Sequence, residues 1–236
     1  NSFNSVYAKQ PHQFQLGFLK VLPGSSMEQK ARQYGLVWQT AAPFEVLYTN
    51  WLNYDEVCEL KQMAEMVDVY YNSGRFAHIT AHICGMFATP FVFYRQLAAF
   101  YVQQGHAHAP LSKIGYYQLL GSFLQQSGFA AGEKAQWLCK LDLTLHEKIK
   151  SLPAWVTVGG AAAYKEEILA FYAKPQNIAR YLPQYAGREA KQIRNMAHIE
   201  IFPFQPFTGE ARSCALLFNY EERDLSGNAA VWEIAL

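Results

Sequence analysis

Apolar and polar positions change rhythm repeatedly along the chain. Residues 4–10 finish a short helix that Pro11 closes, since proline cannot continue a helical hydrogen-bond ladder. Residues 14–22 are densely apolar on alternating positions, with Gln15, Gly17, Leu19 and Val21 on one face and Phe14, Leu16, Phe18, Lys20 and Leu22 on the other. That pattern predicts a strand covered on both sides, as in a parallel α/β sheet. Pro23 and Gly24 make a turn, Ser25 or Ser26 caps a helix over 27–34, and Gly35 ends it. The rhythm then becomes irregular or short-stranded until Asn53 and Glu56, whose spacing is that of a capping box. Val57, Leu60, Ala64, Val67 and Tyr71 follow at helical spacing, and Asn72, Ser73 and Gly74 stop the run.

Helical periodicity continues over about 76–87, 91–104, 112–126, 133–150 and 161–173, with a shorter helix or two between 175 and 197 interrupted at Pro183 and Gly187. The end changes again: "HIEIFPF", "CALLFNY" and "AAVWEIAL" are rich in strand formers and predict a small antiparallel sheet. The expected class is α+β, mainly α, with a boundary near residues 35–53.

Composition narrows the partners more than it changes the fold. With 51% hydrophobic and only 17% charged residues the chain has the burial capacity of a globular protein. A net charge of +1 and the lack of a dense Lys/Arg cluster predict neither nucleic-acid nor membrane-surface binding. There is no charged-then-apolar leader and no apolar run of about 18 residues, so neither a signal peptide nor a membrane span is expected. Cys58, Cys84, Cys139 and Cys214 are scattered, which predicts buried free thiols and a reducing, cytoplasmic setting.

Two places carry candidate chemistry. His78 and His82 stand at i and i+4, a spacing that can chelate zinc, with Cys84, His106 and His108 as conceivable further ligands. Position 79 is Ile, so the glutamate of an HExxH pattern is absent, and the alternative is a surface or backbone-bonded pair. Asn72, Ser73, Gly74 and Arg75 form a polar island, read either as a helix cap with a structural ion pair or as an anion-binding Arg75 fork. Glu221, Glu222, Arg223 and Asp224 read as a solvated turn completed by Ser226, Gly227 and Asn228. The aromatic clusters read as core, although Phe91, Phe93 and Tyr94 cannot all face one way on a single helix.

"HQFQLGFLKVLPGSSMEQKARQYGLVW", "PFEVLYTNWLNYDEVCELKQMAEMVDVYYNSGRF" and "LLFNYEERDLSGNA" together resemble the C-terminal part of a family of cobalamin-binding-domain radical SAM proteins, whose tail is catalogued as a domain of unknown function, DUF4080. The resemblance implies a B12-binding domain and a radical SAM partial barrel upstream in the same parent chain, making this sequence a fragment. Residues 1–38 would then be the barrel's edge, with 14–22 its last strand, and 39–236 a helical accessory domain. It also implies that Gly17, Leu19 and Val21 face the lumen, and that Leu22, Pro23, Gly24 and Ser25 neighbour S-adenosylmethionine or substrate at the strand's C-terminal end, where the amides of Ser25 and Ser26 can hold an anion.

The parent's cofactors would be a [4Fe–4S] cluster, S-adenosylmethionine and cobalamin. None of the four cysteines here has the CxxxCxxC spacing that such a cluster needs, so no radical chemistry is expected of this chain alone. The expected role is to shape or close the substrate side of the barrel. The alternatives are a non-catalytic helical interaction module and a metal-assisted hydrolase using His78 and His82.

Overall fold

The computed structural model describes residues 2–107, 110–129 and 132–236. It is mainly helical with a small antiparallel sheet, and divides into two compact units: residues 1–73 with 83–110, and residues 74–82 with 111–236. No described helix is long and apolar enough to cross a membrane.

The first unit begins with α1 (Ser2–Tyr7) and then an extended stretch through residue 20. The strand expected over 14–22 enters no ladder; its single sheet-like contact is a bridge between Lys20 and Glu45. A strand is defined by its neighbours, and among the described residues one short segment around Phe44–Val46 offers the only backbone pairing. After the Pro23–Gly24 turn, α2 (Ser26–Lys30) starts on Ser25, whose hydroxyl accepts the Glu28 amide. This helix is shorter than expected; the chain leaves it in turns that end at Gly35, in left-handed backbone at φ 58. An added Cβ at Gly35 would collide with the Asn50 side chain.

Next come β1 (Val37–Trp38) and β2 (Val46–Tyr48), paired antiparallel, and α3 (Tyr54–Val67). The predicted capping box is present, with Asn53 Oδ1 accepting the Glu56 amide at 2.9 Å and Glu56 accepting the Asn53 amide at 2.8 Å. A π-type turn over Asp68–Asn72 extends the helix. Of the expected stripe Val57 and Val67 are buried, whereas Leu60, Ala64 and Tyr71 are only half-buried and Met63, Met66 and Tyr70 are buried beside them. α4 (Ala77–Cys84), most of which belongs to the second unit, and α5 (Pro90–Gln103) of the first follow, the latter capped by Thr89 with proline in its first turn. Phe93 and Tyr94 of α5 are both fully buried.

In the second unit, α6 (Lys113–Gln126) precedes α7 (Glu133–His146), whose residues 137–145 are all buried. A helix buried on every face is a core element, which explains why its periodicity is weak. α8 (Lys165–Ala173), α9 (Pro175–Tyr181) and α10 (Ala190–Met196) then lead into β3 (Ala197–Phe202), β4 (Cys214–Arg223) and β5 (Ala229–Ile234). The sheet order is β3-β4-β5, antiparallel throughout, as the three apolar runs predict. Ile168, Phe171 and Ile178 from the helices meet Ile199 and Leu217 from the sheet in one core cluster.

Candidate functional site

An open apolar groove of the first unit is built on residues 14–19. Phe14, Leu16 and Phe18 turn inward, while Gln15, Gly17 and Leu19 are exposed, so the period-2 alternation survives without a sheet. Each end is held. At one end the Asn72 side chain behaves as a strand partner, accepting the Phe14 amide at 2.8 Å and donating to the Phe14 carbonyl at 2.9 Å. At the other, Val46 donates to the Leu19 carbonyl and Val21 to the Phe44 carbonyl, both at 2.9 Å. Between these anchors the peptide groups of Gln15, Leu16, Gly17 and Phe18 have no hydrogen-bond partner among the described residues.

This unpaired stretch borders an apolar groove of about 750 Å³ that also takes in Met27, Tyr34, Trp51, Leu52, Leu60 and Met63. Trp51 is 71% exposed, held outward by a turn in which the Thr49 hydroxyl accepts the amides of Trp51 and Leu52, each at 3.0 Å. The Tyr34 ring leans on it at 6.2 Å. Near the groove, Lys61 pairs with Glu45 at 2.6 Å and lies 5.7 Å over the Phe18 ring. The hydrogen bond from Lys61 holds the Glu45 carboxyl below its usual range. Leu19, Leu22, Val37, Tyr48, Leu52 and Tyr54 are exposed beside Trp51 in the same part of the chain. A run of large apolar side chains in water next to unpaired backbone marks a surface suited to another polypeptide.

Of the residues tied to the barrel edge, Gly17 borders the groove, whereas Leu22, Pro23, Gly24 and Ser25 do not. An added Cβ at Gly17 would meet nothing within 4 Å. Ser25 is occupied as the cap of α2, and the Gly24 amide donates to Glu28 Oε2 at 2.6 Å. Asn72 of the polar island is the anchor on Phe14, and Gly74 adopts φ 68 as the chain leaves the π-type turn. Asp224 accepts the amides of Ser226 and Asn228 at 2.8 and 2.9 Å, closing the turn expected there.

In the second unit, His78 and His82 border a cleft of about 420 Å³ with Lys134, Leu138 and Phe204. His78 Nδ1 lies 2.7 Å from Asp142 Oδ1. Asp142 is buried on α7 and also accepts the amides of His78 and Ile79, capping the start of α4 across the fold. Burial, and then Lys134, push the His82 imidazole below its ordinary value. Among the described residues no group of three or more His, Cys, Asp or Glu is placed to hold a metal. Cys84 and His106 belong to the first unit, where Tyr7 donates to Cys84 Sγ at 3.4 Å; His108 lies outside the described residues. Asp142 was invisible to spacing because its partner His78 is far away in sequence. The groove's Trp51 carried a legible signal, an isolated tryptophan between turn residues, that periodicity does not weigh.

A family model described as "Protein of unknown function (DUF4080)" matches residues 32–215. No curated protein and no solved structure matches the chain.

Proposed function

The chain belongs to the DUF4080 family, a family of unknown function, and from that premise we propose that it is the C-terminal accessory region of a cobalamin-binding radical SAM enzyme, seated against the enzyme's barrel through the first unit. The observation that carries this reading is the unpaired, alternating stretch Gln15–Phe18 beside an apolar groove. Backbone donors and acceptors left open next to apolar side chains are what a strand retains when its sheet neighbour lies elsewhere. The family match begins at residue 32, after this stretch, which supports assigning the earlier residues to a preceding domain's edge.

The residues present do not fit an iron–sulfur cluster. Cys58, Cys84, Cys139 and Cys214 are free thiols without a shared site, and burial pushes the Cys84 thiol up to about 11. A thiol held protonated in this way is a packing group rather than a ligand. The [4Fe–4S] cluster, S-adenosylmethionine and cobalamin therefore belong, on this reading, to the preceding domains, and this chain's part is to close or shape the substrate side of the barrel.

Hydrogen exchange tests the proposal. The amides of residues 15–18 should exchange rapidly in the isolated chain and become protected in the full gene product, which should also carry a CxxxCxxC loop and bind iron and sulfide under anaerobic conditions. A gene product without that loop overturns the radical SAM assignment. Equal exchange in the two proteins overturns the seating of the barrel on this edge, and leaves the non-catalytic interaction module as the better account.

A further inference from the structure

Three cationic residues of the second unit border one cleft. Lys148 lies just past α7, Lys165 opens α8, and Arg194 sits in the last turn of α10. With His198 of β3 they border a cleft of about 430 Å³, with Ile149, Ala161 and Ala162 as its accessible apolar lining. No carboxylate is among its described lining residues. The acid nearest in sequence on β3, Glu200, is committed to Lys140 at 2.8 Å and to His198 at 3.3 Å. Among the described residues Lys148, Lys165 and Arg194 have no ion-pair partner.

One of these contacts has a structural use: the Lys148 ammonium donates to the Arg194 carbonyl at 2.6 Å, capping the C-terminal turn of α10. That uses one of its three protons. Burial, and then the Arg194 charge, push the Lys148 ammonium below its ordinary value. Crowding like charges with no counter-charge costs stability, and an anion in the cleft would offset that cost. Capping accounts for Lys148; it gives no reason for Lys165 and Arg194 to border the same space.

We propose that this cleft binds a small phosphate monoester, with Arg194, Lys165 and Lys148 holding the phosphate oxygens and Ile149, Ala161 and Ala162 receiving the apolar body of the ligand. A tetrahedral dianion matches three separate cationic donors, one of them a planar fork, better than a single carboxylate with two oxygens does. The site is independent of the groove in the first unit.

Calorimetric titration of the chain at low salt with phenyl phosphate, inorganic phosphate and benzoate tests it. Phenyl phosphate should bind saturably and more tightly than the other two. Arg194→Gln and Lys165→Gln should each weaken it about tenfold, the loss of one charged hydrogen bond. Both side chains are exposed, so both variants should melt as the wild type does without ligand; if one fails to fold, the other still decides. Lys174→Gln, an exposed charge outside the cleft, should bind as the wild type does. Absence of saturable binding overturns the proposal. So does equal weakening by Lys174→Gln, which would mean diffuse attraction, and so does benzoate binding as tightly as phenyl phosphate.

Discussion

A carboxylate with 2% of its surface exposed survives in β3 because each of its oxygens is occupied. Glu200 Oε1 accepts the Ala161 amide at 2.8 Å, and Oε2 meets Lys140 at 2.8 Å and His198 at 3.3 Å. Burial alone would raise the Glu200 carboxyl, but the His198 hydrogen bond and the Lys140 charge outweigh it and hold it down at about 2, against an ordinary 4.5. A folded-state value below the unfolded one means that this pairing stabilises the protein above the ordinary value and is lost as pH falls toward about 2. Urea unfolding across that acid range should therefore show a loss of stability that Glu200→Gln lacks. At neutral pH the same variant should be less stable by about 3–5 kcal/mol, because Lys140 stays buried without its partner. Wild-type stability in Glu200→Gln would refute the assignment. Nothing in the local pattern announced this cluster: Glu200 reads as one polar position in a strand, and Lys140 as one position on a helix.

At the scale of elements, two glycines separate a packing requirement from an open surface. A Cβ at Gly160 would collide with Glu200 Oε1 and stand 2.5 Å from the Ile201 carbonyl oxygen, a backbone atom that cannot swing aside. Gly160→Ala should cost about 1–3 kcal/mol in urea unfolding, as overpacking does. Gly17→Ala, with open space around it, should leave the unfolding midpoint of the isolated chain unchanged; a large loss there would mean that residues 14–20 are packed more closely than described. The same contrast explains what could be read beforehand. The starts of α2 and α3 were legible because Ser25 and Asn53 cap through their own side chains, a local interaction that spacing reveals. The terminal sheet was legible because each of its three runs is long and apolar. Residues 14–19 alternate as expected but join no ladder in this chain, because alternation records where side chains point, whereas strand pairing depends on a neighbour. In α3 the expected stripe kept Val57 and Val67, while Met63 and Met66 are buried beside it, and beyond them a π-type turn that no residue pattern signalled buries Tyr70.

On the scale of the whole chain, the first unit carries apolar surface that its own core does not use. Trp51 is its most exposed member, so the isolated protein should bind a polarity-sensitive fluorescent dye, and Trp51→Ser should reduce that binding while shifting stability by no more than about 0.5 kcal/mol. Unchanged dye binding would place the accessible apolar surface elsewhere. The anchors on Phe14 and Leu19 have a further consequence for whatever pairs between them. They leave four residues open, and at about 3.3 Å per residue that is a window of about 13 Å. Such a window is a ruler. It admits a short extended segment of almost any sequence and obliges a longer one to bend away at both ends, so that selection at this edge works by length before it works by composition.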